Sequence, residues 1–185
     1  MAVTPRNRGR LQGLFIVLLF MLPVAVALVM GFLGWAPKAR SYGQPIQPEV
    51  NVAKIPVRLA DGRPFSWTNR DAVWTLVALP GPGCARRCTN TLELTHRAQI
   101  ALGASADKLR LLYLAGPASG SDPRPKLAST WAVGIASSEA FAADRPSEPD
   151  SVSAVLVTPD GKAFIRYAAN FNADGLRGDL AKVVH

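Results

Sequence analysis

The chain has 185 residues, of which 49% are hydrophobic and 18% charged, so it has room for one ordinary domain and an appendage. Its 21 basic and 13 acidic residues give a net charge of +8. The basic residues are scattered and form no run or aromatic-interleaved patch, which excludes a dedicated nucleic-acid-binding protein.

The N-terminal segment is predicted to anchor the chain in a membrane. Residues 11–35 contain no charged side chain, and a helix rising about 1.5 Å per residue over this length crosses a hydrocarbon core of roughly 30 Å. Three arginines precede the run, and no acidic residue occurs before Glu49. The positive-inside rule therefore places residues 1–10 in the cytoplasm and the later residues in the periplasm, across the inner (cell) membrane.

Two further predictions concern the surroundings of this helix. A cleaved signal peptide is the alternative to an anchor, but its apolar region is normally only about 7–15 residues long. Residues 36–53 contain three prolines among polar residues, a composition that predicts an extended tether. The domain itself is predicted to span residues 54–185.

The first half of that domain has a strand–helix–strand pattern. Residues 55–59 predict a short strand, and the continuous apolar run 74–79 is typical of a buried central strand. Residues 90–103 have the spacing of an amphipathic helix, with Asn90 and Glu93 as a capping box. Residues 109–115 predict the next strand.

The second half ends in a hairpin and a helix. Strands at 153–158 and 163–168 flank a Pro-Asp-Gly-Lys turn, and Asp174 is predicted to cap a final helix that ends at residue 184. Residues 116–150 are predicted to be irregular, with a short helix near 137–143. This order of elements is the thioredoxin-like α/β plan, a central mixed sheet flanked by helices.

Two cysteines, Cys84 and Cys88, are the candidate functional residues. A structural disulfide is one interpretation, because the compartment outside the cytoplasm is oxidising. However, so short a loop removes little entropy from the unfolded chain. The pair also lies where a strand gives way to a helix, and Arg86 and Arg87 lie between the cysteines. Helix N-termini and cations favour thiolates, so we expect a redox pair or a soft-metal site with a lowered thiol pKa.

The segment Gly83-Cys84-Ala-Arg-Arg-Cys88-Thr-Asn-Thr-Leu92 resembles the C-x-x-x-C-x-x-x-L signature of the Sco/SenC family. Members are membrane-anchored, thioredoxin-like copper proteins that help to assemble cytochrome c oxidase. The resemblance extends in outline over residues 55–184. The chain departs from the family pattern at Ala85 and Thr89, where proline is usual, and has no histidine near Asp150, where the family carries its third copper ligand.

The resemblance implies an assembly factor for cytochrome c oxidase that handles thiols or Cu(I) through Cys84 and Cys88, with Arg86 and Arg87 tuning the thiolates. Its partner would be a respiratory oxidase subunit or another copper or thiol protein. Two sulfurs hold Cu(I) but suit Cu(II) poorly. The alternatives are a periplasmic thiol:disulfide oxidoreductase without a metal role and a non-catalytic docking module.

The remaining histidines and acidic loop residues are predicted to have no catalytic or metal-binding role. His96 lies two helical turns beyond Cys88, roughly 12 Å along the helix axis, and is interpreted as a solvent-facing side chain rather than a ligand. His185 is interpreted as a residue of the C-terminal end without a ligand role. Four acidic residues are predicted to be solvated loop charges, namely Asp122, Asp144, Glu148 and Asp150.

Overall fold

The computed structural model describes residues 5–32, 41–115, 127, 129–136 and 141–184. The chain divides into two compact units, Met1–Arg40 and Ser41–His185. The first unit contains helix α1, Pro5–Phe32, with Pro23 inside it. Its large apolar side chains that are described are 38–69% exposed.

The predicted membrane-spanning helix is not confirmed. The prediction covered residues 11–35, and α1 covers all but the last three, which lie outside the described residues. Within the part of the chain that the structure describes, no helix has both the length and the hydropathy required to cross a bilayer.

The second unit is built on one sheet of seven strands among the described residues, flanked by two helices. The strands are β1 (Gln44–Asn51), β2 (Val57–Leu59), β3 (Trp74–Pro80), β4 (Leu109–Leu114), β5 (Ala132–Ala136), β6 (Val152–Val157) and β7 (Lys162–Tyr167). The helices are α2 (Arg86–Ile100) and α3 (Ala173–Val183). Short 3₁₀ segments occur at Gly103–Lys108 and Ala142–Asp144.

The sheet is mixed, in the order β1-β7-β6-β3-β4-β5-β2. Strands β3, β4 and β5 are parallel to one another. The other pairs are antiparallel: β6 with β3, β7 with β6, β1 with β7, and β2 with β5. Strand β3 is central and buried on both faces: Leu76 and Ala78 face one hydrophobic cluster, and Val77 and Leu79 face the other. A strand buried on both sides needs a continuous apolar run, which is why it was recognisable in the sequence.

Residues 41–53 belong to this unit and are not a free tether. Strand β1 pairs with β7 and forms one edge of the sheet, a position that tolerates its prolines because an edge strand leaves one row of N–H groups unpaired. The segment before it is fastened to α3, where the buried carboxylate of Asp179 accepts hydrogen bonds from the Ser41 hydroxyl (2.9 Å) and the Gly43 N–H (2.8 Å).

Two other segments differ from the sequence prediction. Residues 132–136 form β5, parallel to β4, although this region was predicted to be irregular. Of the short helix predicted near 137–143, residues 137–140 lie outside the described residues and Ala142–Asp144 form a single 3₁₀ turn. Helix α3 is capped by the Asn172 side chain, which accepts the Asp174 N–H, so Asp174 is not the cap as predicted.

Candidate functional site

The two cysteines lie where β3 leads into α2. Strand β3 ends at Pro80, a short glycine-containing loop follows, and Cys88 is in the first turn of α2. Cys84 and Cys88 are joined by a disulfide with their Cα atoms 5.2 Å apart. Helix α2 begins at Arg86, four residues earlier than predicted, so Asn90 and Glu93 lie inside the helix and do not form its capping box.

The disulfide is buried. Cys88 is completely buried, and Cys84 retains 6% of its surface, both packed in the hydrophobic cluster with Leu92 of α2. The loop before Cys84 is also bonded to residues far away in the sequence, because the Gly81 N–H donates to the Ser151 carbonyl and the Asp150 N–H to the Pro82 carbonyl.

At Gly81 the loop between β3 and α2 runs close against residues 146–151. The Gly81 N–H donates to the Ser151 carbonyl at 2.9 Å, and a Cβ at this position would lie 2.5 Å from the Glu148 carbonyl oxygen. Only glycine fits without displacement of the backbone.

Asp150 caps the helix that carries Cys88. Its Oδ1 accepts the N–H groups of Ala85 (2.7 Å) and Cys88 (3.0 Å), and its Oδ2 accepts the N–H of Arg87 (2.9 Å). Burial alone would raise the pKa of this carboxyl group, but these three hydrogen bonds and the charge of Arg87 hold its pKa below the ordinary value. Asp150 is therefore a helix cap supplied from another loop, and the prediction that it is a solvated loop charge is wrong.

The two arginines between the cysteines have different surroundings. Arg87 donates to the Glu148 carboxylate and to the carbonyls of Pro149 and Asp150. Arg86 is exposed and pairs with no acidic group among the described residues. Both line an open, polar cavity of about 570 Å³ beside the disulfide. Its other lining residues are Thr89, Asn90, Glu93 and Asp150.

Arg145 is a residue of this region that no local sequence signal could have revealed. Its guanidinium donates to the carbonyls of Pro80 (3.2 Å), Leu114 (3.2 Å) and Ala115 (3.3 Å). These carbonyls terminate β3 and β4, so Arg145 fastens the ends of two neighbouring strands beside the cysteine loop. Burial lowers the pKa of this guanidinium.

Among the residues that the structure describes, the candidate metal ligands at this site are the Cys84 and Cys88 sulfurs. Among the described residues, no group of three or more His, Cys, Asp or Glu side chains is placed to hold a metal ion. His96 is half-buried with its Nδ1 3.4 Å from Gln99 Oε1, and His185 lies outside the described residues. Where the Sco/SenC pattern has histidine, Asp150 uses both oxygens on backbone N–H groups. The donor set thus fits Cu(I) held by two sulfurs after reduction, and does not fit a nitrogen-rich Cu(II) site.

Comparison with known proteins places this site in a thioredoxin-like fold. The family model described as transmembrane-like, thioredoxin-like, C-terminal domain matches residues 74–185. No curated protein matches the chain.

Solved structures show the same fold at low identity. One is BsSco, described as a member of the Sco family of cytochrome c oxidase assembly proteins with a disulfide switch. It has 17% identity and a TM-score of 0.51, with 74% of this chain and 96% of BsSco covered. Another, from Chlorobium tepidum, carries the name thiol:disulfide interchange protein DsbE. It has 12% identity and a TM-score of 0.52, with 77% and 97% covered. The predicted thioredoxin-like α/β fold is confirmed.

Proposed function

Because the chain belongs to the transmembrane-like, thioredoxin-like C-terminal domain family, we propose that it exchanges thiols and disulfides with a partner protein through Cys84 and Cys88. The observation that carries this proposal is the unequal burial of the two sulfur-bearing residues: Cys84 keeps 6% of its surface and Cys88 none. In the proposed exchange the less buried Cys84 would meet the partner, and the completely buried Cys88 would resolve the mixed disulfide.

The exchange would begin at Cys84. A partner thiolate attacks the Cys84 Sγ, the Cys84–Cys88 bond breaks, and Cys88 leaves as a thiolate that takes up a proton. A second partner thiolate then attacks its own mixed disulfide and releases Cys84, which is protonated in turn. The partner dithiol loses two electrons and becomes a disulfide, while the pair gains two electrons and two protons. The reverse sequence oxidises the partner.

Single-cysteine variants test this order. In Cys88→Ser the resolving sulfur is absent, so the Cys84 thiolate should attack a peptide disulfide, release one peptide sulfur as a thiol and accumulate as a mixed disulfide with the other. The matched Cys84→Ser variant retains only the buried Cys88 and should trap little. Trapping is measured by non-reducing mass spectrometry of the full chain. Equal trapping by both variants, or none by either, would contradict the proposal and favour the docking module.

A second candidate function, the transfer of Cu(I) in the assembly of a respiratory oxidase, is favoured by the chemistry of the donor set. After reduction, Cys84 and Cys88 would supply two soft sulfur ligands. Cu(I) would be cargo for an oxidase subunit or another copper protein. A chelator competition on the reduced full chain should show one Cu(I) bound, lost in Cys84→Ser and Cys88→Ser. Tight binding of Cu(II) through nitrogen in both variants would contradict this function.

Attachment to a membrane also belongs to the proposal and rests on the sequence. The uncharged run 11–35, preceded by three arginines, would place the cysteine pair outside the cytoplasm, in the periplasm. There the oxidised pair would be compatible with its surroundings. A reporter fused after Val184 should be active only outside the cytoplasm, and a cytoplasmic signal would contradict this placement.

A further inference from the structure

We propose that Asp150 is a positioning residue that favours the disulfide over the dithiol, because it takes up the backbone N–H groups that a newly released Cys84 thiolate would otherwise use. This inference rests on the proposed exchange function and adds the residue that decides whether the pair tends to reduce or to oxidise its partner. It predicts that the charge on one carboxylate makes the reduced pair a stronger reductant.

The hydrogen bonds of Asp150 span the whole loop between the sulfurs. Its three donors are the N–H groups of Ala85, Arg87 and Cys88, all located between or on the bonded cysteines. The Asp150 N–H also donates to the Pro82 carbonyl at 3.0 Å, so the residue holds the loop on both sides of Cys84. Its backbone has φ 52°, a left-handed conformation that Asp and Asn adopt more readily than most residues.

The position of the Asp150 carboxylate at the N-terminus of α2 determines its electrostatic effect on the cysteine pair. The N-terminus of a helix favours a negative charge through its unpaired N–H groups and dipole. At α2 that position is filled by the Asp150 carboxylate. Reduction that leaves Cys84 as a thiolate adds a second negative charge just before this first turn, where Asp150 already accepts the N–H groups of Ala85, Arg87 and Cys88. The dithiol state is therefore disfavoured relative to the disulfide.

Neighbouring charges do not remove this effect. Arg87 is the cation closest to Asp150 in the hydrogen-bond network, but its guanidinium is also paired with Glu148 at 2.9 Å. The local group of Arg87, Glu148 and Asp150 thus carries one net negative charge. Arg86 is exposed, where water weakens its field.

Equilibrium with glutathione measures the effect. Two glutathione thiols reduce the Cys84–Cys88 disulfide and form glutathione disulfide. Of the two protons they release, one passes to Cys88, and the other passes to Cys84 or, where Cys84 remains a thiolate, to solvent. The full chain would be equilibrated at pH 7 over a series of thiol-to-disulfide ratios and quenched with an alkylating reagent, and the reduced fraction counted by mass. Asp150→Asn keeps the size and backbone preference of the residue, and Asp150→Ser keeps a neutral capping oxygen.

Both neutral variants should shift the equilibrium constant toward the dithiol by on the order of tenfold, which corresponds to a rise in reduction potential of about 30 mV. Glu148→Gln, which removes the same charge from the same loop without touching the N–H groups, should stay within about threefold of wild type. If Asp150→Asn fails to fold, Asp150→Ser carries the test.

Two results would overturn the inference in different ways. If the wild type equilibrates but neither neutral variant shifts toward the dithiol, or Glu148→Gln shifts as far as they do, Asp150 does not set the balance. If the wild type stays oxidised at every ratio, the proposed exchange function itself fails, and this inference falls with it.

Discussion

Arg87 and Glu148 form an ion pair, with Nη2 and Oε1 2.9 Å apart, that connects the first turn of α2 to the loop containing Asp150. Both side chains are about half exposed, so the pair itself stabilises the fold by roughly 0.2–1 kcal/mol. Because Glu148 offsets the charge of Arg87, the two cations between the cysteines are not equivalent. Arg86 is the one whose charge is uncompensated among the described residues.

Replacement of Arg86 should therefore slow reduction of the disulfide by anionic thiols. In Arg86→Gln we expect the rate with glutathione to fall about twofold, since a unit charge several ångströms away in a watery environment contributes roughly 0.5 kcal/mol. The rate with cationic cysteamine should rise by a similar factor. Both rates are measured by quenched alkylation of the full chain.

Arg97→Gln is the matched control, because it removes the same charge from the same helix at a position roughly 16 Å further along the axis. That distance exceeds the Debye length of about 8 Å at physiological ionic strength, so neither rate should change. Equal effects of the two substitutions would show that the charge of Arg86 has no local role at the disulfide.

Gly81→Ala should destabilise the unit by about 1–3 kcal/mol, the range for overpacking. The added methyl would lie 2.5 Å from the Glu148 carbonyl and 3.0 Å from the Pro146 carbonyl, and backbone on that side must move away. Gly178→Ala in α3 meets nothing within 4 Å and should instead stabilise the helix by about 0.5–1 kcal/mol. Urea unfolding of both variants measures the difference, and a neutral Gly81→Ala would show that the two segments are not in tight contact.

Asp179→Asn should lower the free energy of unfolding by about 1–3 kcal/mol at pH 7, because a buried charged acceptor of the Gly43 N–H and the Ser41 hydroxyl is lost. Burial would raise the pKa of Asp179, but the N–H groups of Gly43 and Tyr42, with the Ser41 hydroxyl and Lys182, hold its pKa below the ordinary 3.8.

The sign of the pH dependence follows from that lowered pKa. The stabilisation by the Asp179 carboxylate is fully present above about pH 4 and is lost as the pH falls through the folded-state pKa. The difference between wild type and Asp179→Asn should therefore shrink below pH 4. Asp107→Asn, at an exposed position, should cost little at either pH. A difference that persists undiminished at low pH would contradict this role of the carboxylate.

The elements that could be predicted from sequence are those with a local signature. Strands β3 and β4 are apolar runs because they are buried, and the β6–β7 hairpin has turn residues whose preferences are intrinsic to the backbone. Strand β1 has no such pattern, since it is a polar edge strand containing prolines. It is held by pairing with β7 and by Asp179, contacts that join residues more than a hundred positions apart.

The candidate site likewise contains residues with a local sequence signature and residues that only the tertiary structure brings together. The cysteine pair and its arginines could be found from spacing alone. The Asn90–Glu93 motif suggested a later helix start, because a local capping pattern cannot reveal that Asp150, more than sixty positions away, supplies the cap. Nor could the spacing show that the disulfide is packed in a hydrophobic cluster with Leu92. The tertiary fold decides which carboxylate accepts the N–H groups at the start of α2.

Reduction of the native disulfide under non-denaturing conditions would show whether Cys84 and Cys88 are a redox pair or a structural link. The full chain, without denaturant, would be exposed to a low concentration of dithiothreitol, quenched at intervals with an alkylating reagent and analysed by mass. We predict that Cys84 and Cys88 become reduced without unfolding and re-form the disulfide when oxidised dithiothreitol is supplied in excess. A pair that resists even strong reductant until urea unfolds the domain would show that the disulfide is a structural link, and would contradict the exchange function.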